Sequence, residues 1–158
     1  MKKVIVLSLT IALTLLAVTS QPSTAAGLIN EMQGCQGLID FLDKKLESAS
    51  SKYDDDDVTK VREGLGGYNQ YIQREIVSPG LLQATGGDKS KADDYQRQVD
   101  SYKESLVTQL DARYPQNRLF SDHAVAINNC AKKAVPSGQE LEDLKEALNI
   151  MLKLAQLN

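Results

Sequence analysis

His123 is the only histidine in the 158 residues, and a lone imidazole sets narrow bounds on catalysis. One histidine cannot build a multi-histidine metal site. Asp122 precedes it directly, and neighbours in a helix point in different directions, so the two do not form a base with its orienting carboxylate. No nucleophile motif surrounds it. The position reads as a surface or interface histidine near a helix start. Asp54-Asp55-Asp56-Asp57 offers four carboxylates, but a calcium loop alternates its ligands around a glycine turn and closes on a glutamate. A consecutive run suits a solvated helix start, where it caps free amides. Asp88-Lys89-Ser90-Lys91-Ala92-Asp93 fails the same test, because alanine stands where a ligand is needed. Gly86-Gly87-Asp88 is no phosphate loop: no Gly-Lys-Ser/Thr follows it and no strand precedes it. With 21 acidic residues, no glycosidase pair can be nominated, since the criterion is separation in space. The absence of tryptophan and the few aromatics leave little to line a sugar cleft. The expectation is a non-enzymatic protein without a metal or other cofactor.

Two further pairs carry a chemical reading. Cys35 and Cys130 are the only cysteines, and neither lies in a Cys-x-x-Cys motif. In an oxidising compartment an even pair reads first as a disulfide. Tyr68 and Tyr71, in Gly-Gly-Tyr-Asn-Gln-Tyr, set two amphipathic rings beside small residues; ordinary core packing is the leading reading and an interface the alternative. Tyr95 and Tyr102 read as core or rim packing.

The elements that would position these residues are helical nearly throughout. Leu28, Met32, Cys35, Ile39, Leu42 and Leu46 recur at three- or four-residue steps and define a first helix that ends in Ser48–Lys52. The aspartate run opens a second helix carrying Val58, Val61, Leu65, Tyr68, Ile72 and Ile76. Gly64, Gly66 and Gly67 within it cost about 1 kcal/mol each relative to alanine and suggest close helix approach or a bend. Ser78-Pro79-Gly80 should end it, leaving Leu81 and Leu82 in a connector. Ser90 with Asp93 resembles a capping box for a third helix carrying Ala92, Tyr95, Val99, Tyr102, Leu106 and Leu110, which stops at Tyr114-Pro115. A fourth helix starts near Ser121 or Asp122 and carries Ala124, Ile127, Cys130, Ala131 and Ala134. Pro136 breaks it, and Ser137-Gly138-Gln139-Glu140 reads as a capping box opening a last helix with Leu141, Leu144, Leu148, Met151, Leu152 and Ala155. No strand-like alternation and no solenoid repeat stands out. The fold expected is all-α, an antiparallel bundle of about five helices closed by one disulfide.

The N-terminus assigns a compartment. Met1-Lys2-Lys3, an apolar run from Val4 to Val18, and the small residues Ser23-Thr24-Ala25-Ala26 follow the order of a cleavable signal peptide. The apolar run is about 15 residues, short of the roughly 20 that span a bilayer. Residues 1–25 are therefore read as a signal peptide and 26–158 as a single helical domain, periplasmic or alternatively secreted, with no membrane span after cleavage. The leader holds two of the 18 basic residues and none of the 21 acidic ones, so the mature chain carries a net charge of −5. An acidic chain without a basic cluster is not expected to bind nucleic acid or anionic membranes.

In the exported chain, Met32 on the first helix and His123 late in the sequence resemble the ligand pair of cytochrome b562. That resemblance implies haem ligation by Met32 and His123, although Met32 also fits a plain core position. Cys130 followed by Val135-Pro136-Ser137-Gly138 and an amphipathic helix is similar to the C-terminal pattern of Rap1a-type immunity proteins. Cys35 on an early helix paired with a distant cysteine is similar in outline to acid-stress chaperones of the HdeA type. The leading expectation is a non-catalytic protein-binding or inhibitor/immunity-type module that captures a protein partner, basic by charge complementarity. A periplasmic stress chaperone is the alternative, followed by a haem-binding bundle and a hydrolase. The apolar stripes are wide enough for a self-contained bundle and do not fix the oligomeric state.

Overall fold

A computed structural model describes residues 23–157, and the structural statements below concern those residues. Most of the segment read as a signal peptide, residues 1–22, lies outside them.

Helix α1 (Ser23–Ser48) is followed by a single 3-10 turn at Ser50–Lys52. Helix α2 (Asp55–Ile72) then runs through a π-helical turn at Gln73–Val77 into α3 (Ser78–Ala84). Helices α4 (Lys89–Arg113), α5 (Ser121–Lys133) and α6 (Gln139–Gln156) complete the chain. Because α2, the π-turn and α3 are continuous, the architecture is five helical rods without a strand among the described residues.

Helix α1 lies at the centre, touching α2, α3, α4 and α5, while α6 packs on α2 and α5. Directions follow from paired residues. Asp43 meets Arg62 and Gln36 meets Gln73, so α1 and α2 run antiparallel. Lys153 meets Asp57 while Arg74 meets Glu140, so α6 returns along α2. The Cys35–Cys130 disulfide ties α1 to α5, with Cα atoms 6.0 Å apart and 95 residues between them. Met32, Phe41, Leu42, Leu46, Leu65, Ile72, Ile127, Leu144, Met151 and Leu154 fill the core. Most of these are positions that helical spacing placed on the inner faces. At Gly64 an added Cβ would lie 2.5 Å from the Asp143 carbonyl oxygen and 2.8 Å from Ala147 Cβ. The α2–α6 contact is therefore backbone-close, as expected for a glycine inside a helix.

Local expectations fail in three places. Ser78-Pro79-Gly80 does not end the second rod: Ser78 is helical at φ −62°, ψ −47°, and its N–H donates to Gln73 O, five residues back. The π-turn offsets the ladder by one residue and brings Pro79 into the first turn of a fresh α-segment, where its missing N–H costs little. Leu81 is accordingly a buried helical residue rather than part of a connector. The α4 cap is Asp88, which accepts from the Lys91 N–H at 3.1 Å, and not Ser90. Gly86 and Gly87 turn at φ +65° and +85° and deliver Asp88 to that position. Helix α6 has no side-chain cap, because its N-cap is Gly138, at φ +59°, which has no side chain to offer, and Ser137 stands one residue too early. Asp54 does cap α2, accepting from the Asp56 and Asp57 N–H groups.

Candidate functional site

The sequence-nominated pairs divide sharply. Cys35 and Cys130 are joined. Tyr68 and Tyr71 stack with ring centroids 6.2 Å apart, and both hydroxyls bond the α5–α6 connection. Tyr68 donates to Ala134 O at 3.1 Å and Tyr71 to Val135 O at 2.9 Å, which fixes the α5–α6 connection against α2. Tyr68 is completely buried, and that burial drives its phenol pKa up. Its ring is a core element and does not face a partner; the bare glycines beside the pair lie on another side of the helix. Tyr95 and Tyr102 are the exposed tyrosines, about half accessible, on the rim of an apolar depression that includes Ile29, Leu81 and Val99.

Met32 and His123 are both buried but are not brought together. His123 packs on Phe41, nine residues beyond Met32 on α1. At 1.5 Å rise per residue that is about 13 Å along the helix, with the disulfide between. The expectation of a surface histidine is also overturned: His123 is 2% exposed. Phe41, Tyr114 and Phe120 enclose its ring edge-on, at centroid distances of 5.5, 4.9 and 5.4 Å. Its Nδ1 accepts from the Phe120 N–H, whereas the buried Nε2 has no protein partner. Lys45, itself buried and paired with Asp111 at 3.0 Å, stands nearby over the Phe41 ring. Burial lowers the His123 pKa to about 4; Lys45 adds to the lowering and Asp122 opposes it. The imidazole is held neutral, because charging it would strand a cation among rings.

A polar concavity lies elsewhere, between α1, α2 and α4. It encloses about 530 Å³ and is lined by Gln36, Asp40, Asp43, Arg62, Asn69, Gln73 and Lys103 among others. Its floor is a relay of amides. Gln36 Nε2 donates to Gln73 Oε1 at 3.1 Å, Gln73 Nε2 to Gln96 Oε1 at 2.9 Å, and Gln96 Nε2 to Asp100 Oδ1 at 3.0 Å. Amide orientations are assigned from the network they must satisfy. Here the chain ends on a carboxylate, which can only accept when ionised, so each amide upstream has a fixed sense. Gln36 Nε2 also reaches the Asn69 carbonyl, an obligate acceptor. The outcome is that Gln36 Oε1, on a side chain 2% exposed, is left as an acceptor without a protein partner. The π-turn supplies Gln73, whose Nε2 also donates to Ser78 Oγ at 2.8 Å. Turns of this kind occur often at functional sites.

Charge in the groove is arranged in pairs, with one exception. Arg62 grips both oxygens of Asp43, at 2.6 and 3.0 Å, and Lys103 holds Asp100 at 3.0 Å. Asp40 accepts from Asn69 Nδ2 at 2.9 Å and has no ion pair among the described residues. Burial raises its carboxyl pKa above the ordinary value; Lys103 and the Asn69 hydrogen bond oppose the rise, while Asp43 and Asp100 add to it. On the α2 wall, Gly66 and Gly67 have open space where a Cβ would stand. Their helix penalty of roughly 1 kcal/mol each is not explained by packing, and it keeps that wall bare. Periodicity did not reveal this site, although it carries one sequence signal. Gln36 falls on the apolar stripe of α1, four residues after Met32 and three before Ile39.

No metal-binding cluster and no helix long and apolar enough to cross a membrane occur among the described residues. The chain matches no protein-family model, no curated protein and no solved structure.

Proposed function

We propose that this chain is a non-catalytic binding protein of an oxidising compartment, the periplasm first, which captures a partner in the groove between α1, α2 and α4. The observation that carries the reading is the polar groove itself, with the α2 wall kept bare at Gly66 and a half-buried Asp40 that has no ion pair among the described residues. The disulfide fits an extracytoplasmic location, and the acidic charge of the mature chain favours a basic partner. The test is capture from extracts of its own cells with the oxidised chain and with Gly66→Trp, which fills the groove from a position where a side chain meets no neighbour. A stoichiometric partner retained by the first and lost by the second, at equal thermal stability, supports the reading. A partner held equally by both removes the groove from the function.

A stress chaperone is the second reading, and the buried neutral His123 favours it. Acid would protonate the imidazole in the unfolded chain before the folded one, and so open the bundle and expose apolar surface. Suppression of client aggregation at pH 4.5 but not at pH 7, weakened in a variant that stays closed in acid, would support this second reading.

A further inference from the structure

We infer that the α4–α5 connection, residues 114–120, is an acid-released latch whose catch is the hydrogen bond from the Phe120 N–H to His123 Nδ1. It rests on the acid-responsive second reading above and is independent of the groove. The connection has no regular structure, and two of its amides reach side chains. The Leu119 N–H donates to the Tyr53 hydroxyl at 2.9 Å, and the Phe120 N–H to His123 Nδ1 at 3.4 Å. A ring nitrogen that accepts carries no proton, so the neutral imidazole keeps its hydrogen on Nε2. Acid adds a hydrogen to Nδ1, where a donor then faces a donor and the catch is lost. The same step places a cation among Phe41, Tyr114 and Phe120. Charges around the ring do little to hold it there. On α5, Asp122 favours the charged ring, but burial outweighs it and Lys45 of α1 opposes it. Asp111 of α4 is engaged by Lys44 and Lys45. Arg113 and Arg118 stand over the Tyr114 and Phe120 rings. Helix α6 meets the start of α5 with Leu148, Asn149 and Leu152, and its Lys145 pairs with Glu142. The far end of α5 cannot leave, because Cys130 is bonded to Cys35 of α1. What acid frees is therefore the connection, and with it Leu119, which is fully buried in the closed form. Its departure uncovers an apolar patch beside Phe41 while α5 stays attached.

The experiment is amide hydrogen exchange of the oxidised chain at pH 7.5 and pH 4.5, read residue by residue and corrected for the intrinsic pH dependence of exchange, each in a series of low urea concentrations. Between the two pH values the Leu119 and Phe120 amides should lose protection by about tenfold to a hundredfold, the proton linkage of a buried neutral imidazole. Their exchange should depend weakly on urea, because a local opening exposes little surface. Leu42 of α1 and Leu65 of α2, deep in the core, should stay better protected and keep the steep urea dependence of global unfolding. His123→Asn, which does not titrate, should flatten the acid response of Leu119 and Phe120. Tyr53→Phe removes the other side-chain bond and should loosen both amides at both pH values while keeping that response. If Leu119 and Phe120 share the protection and urea slope of Leu42, the opening is global: the latch is overturned and the chaperone reading survives. An acid response absent from the unmodified chain, or undiminished in His123→Asn, overturns the latch as well. Should His123→Asn not fold, the urea slopes of the unmodified chain and the response of Tyr53→Phe decide. A latch that opens in acid without suppressing client aggregation would instead remove the chaperone reading and leave the latch standing.

Discussion

Protonation of His123 should be a main acid liability of the fold, and its size follows from the burial of the ring. The imidazole is enclosed by Phe41, Tyr114 and Phe120, with Nε2 unpartnered and the Lys45 ammonium close by. Its pKa is about 4 in the fold, against an ordinary 6.5. The sign follows directly: the unfolded chain takes up the proton first, so stability is intact above pH 6.5 and falls between 6.5 and about 4. At pH 4.5 the linkage amounts to about 2–3 kcal/mol, levelling off slightly above that at lower pH. That is a large fraction of a typical domain's 5–15 kcal/mol. The assay is urea unfolding of the oxidised chain at pH 7.5 and pH 4.5, for the unmodified protein and for His123→Asn. Asparagine keeps an acceptor near the Phe120 N–H and does not titrate. Carboxylates such as Asp111, whose pKa is lowered by hydrogen bonds from Lys44 and Lys45, contribute equally to both proteins and cancel in the difference. The unmodified chain should lose about 2–3 kcal/mol more than the variant across this interval. Equal losses in the two would refute the claim that the ring is held neutral by its surroundings.

The remaining expectations concern packing and the covalent tie. Gly66→Ala and Gly67→Ala should each stabilise the fold by about 1 kcal/mol in thermal or urea unfolding, since an added methyl meets nothing there. Gly64→Ala should instead destabilise it by roughly 1–3 kcal/mol, because the methyl would press on the Asp143 carbonyl; a stable Gly64→Ala would contradict the close α2–α6 approach. Tyr68→Phe should cost about 1–3 kcal/mol, leaving the buried Ala134 carbonyl without its donor. Reducing Cys35–Cys130 should lower unfolding stability by about 4 kcal/mol, the chain-entropy value for a loop this long. Free-thiol titration of the unfolded, unreduced protein should find none, and two titrating thiols would disprove the bond.

Helix content was legible in the order of residues, because helical periodicity is a local property. The spacing of Met32, Cys35, Ile39 and Leu42, or of Leu144, Leu148 and Met151, marks the inner face whatever the neighbours are. Cys35 and Cys130 paired for an equally simple reason, since two cysteines allow one bond. Local rules failed where three-dimensional context supplied a cheaper alternative. Pro79 did not stop its helix because a π-turn shifted the ladder, and Ser90 lost the α4 cap to Asp88 because the two glycines before it set the entry angle. His123 was misread as a surface residue, and core packing of Tyr68 could not be told from an interface, because residue type does not report depth; a tyrosine can point its hydroxyl at a buried carbonyl as readily as at water. The groove could not be read at all. Its amide relay joins Gln36 of α1, Gln73 of the π-turn and Gln96 of α4, residues that are distant in sequence, polar and ordinary when taken singly. Helix α4 runs the same way as α1, since Gly37 meets Leu106 and Lys45 meets Asp111, and only this alignment, with α2 antiparallel to both, brings them within hydrogen-bond distance. That alignment is a property of packing among rods, set by side-chain shape across interfaces, and no single helix encodes it.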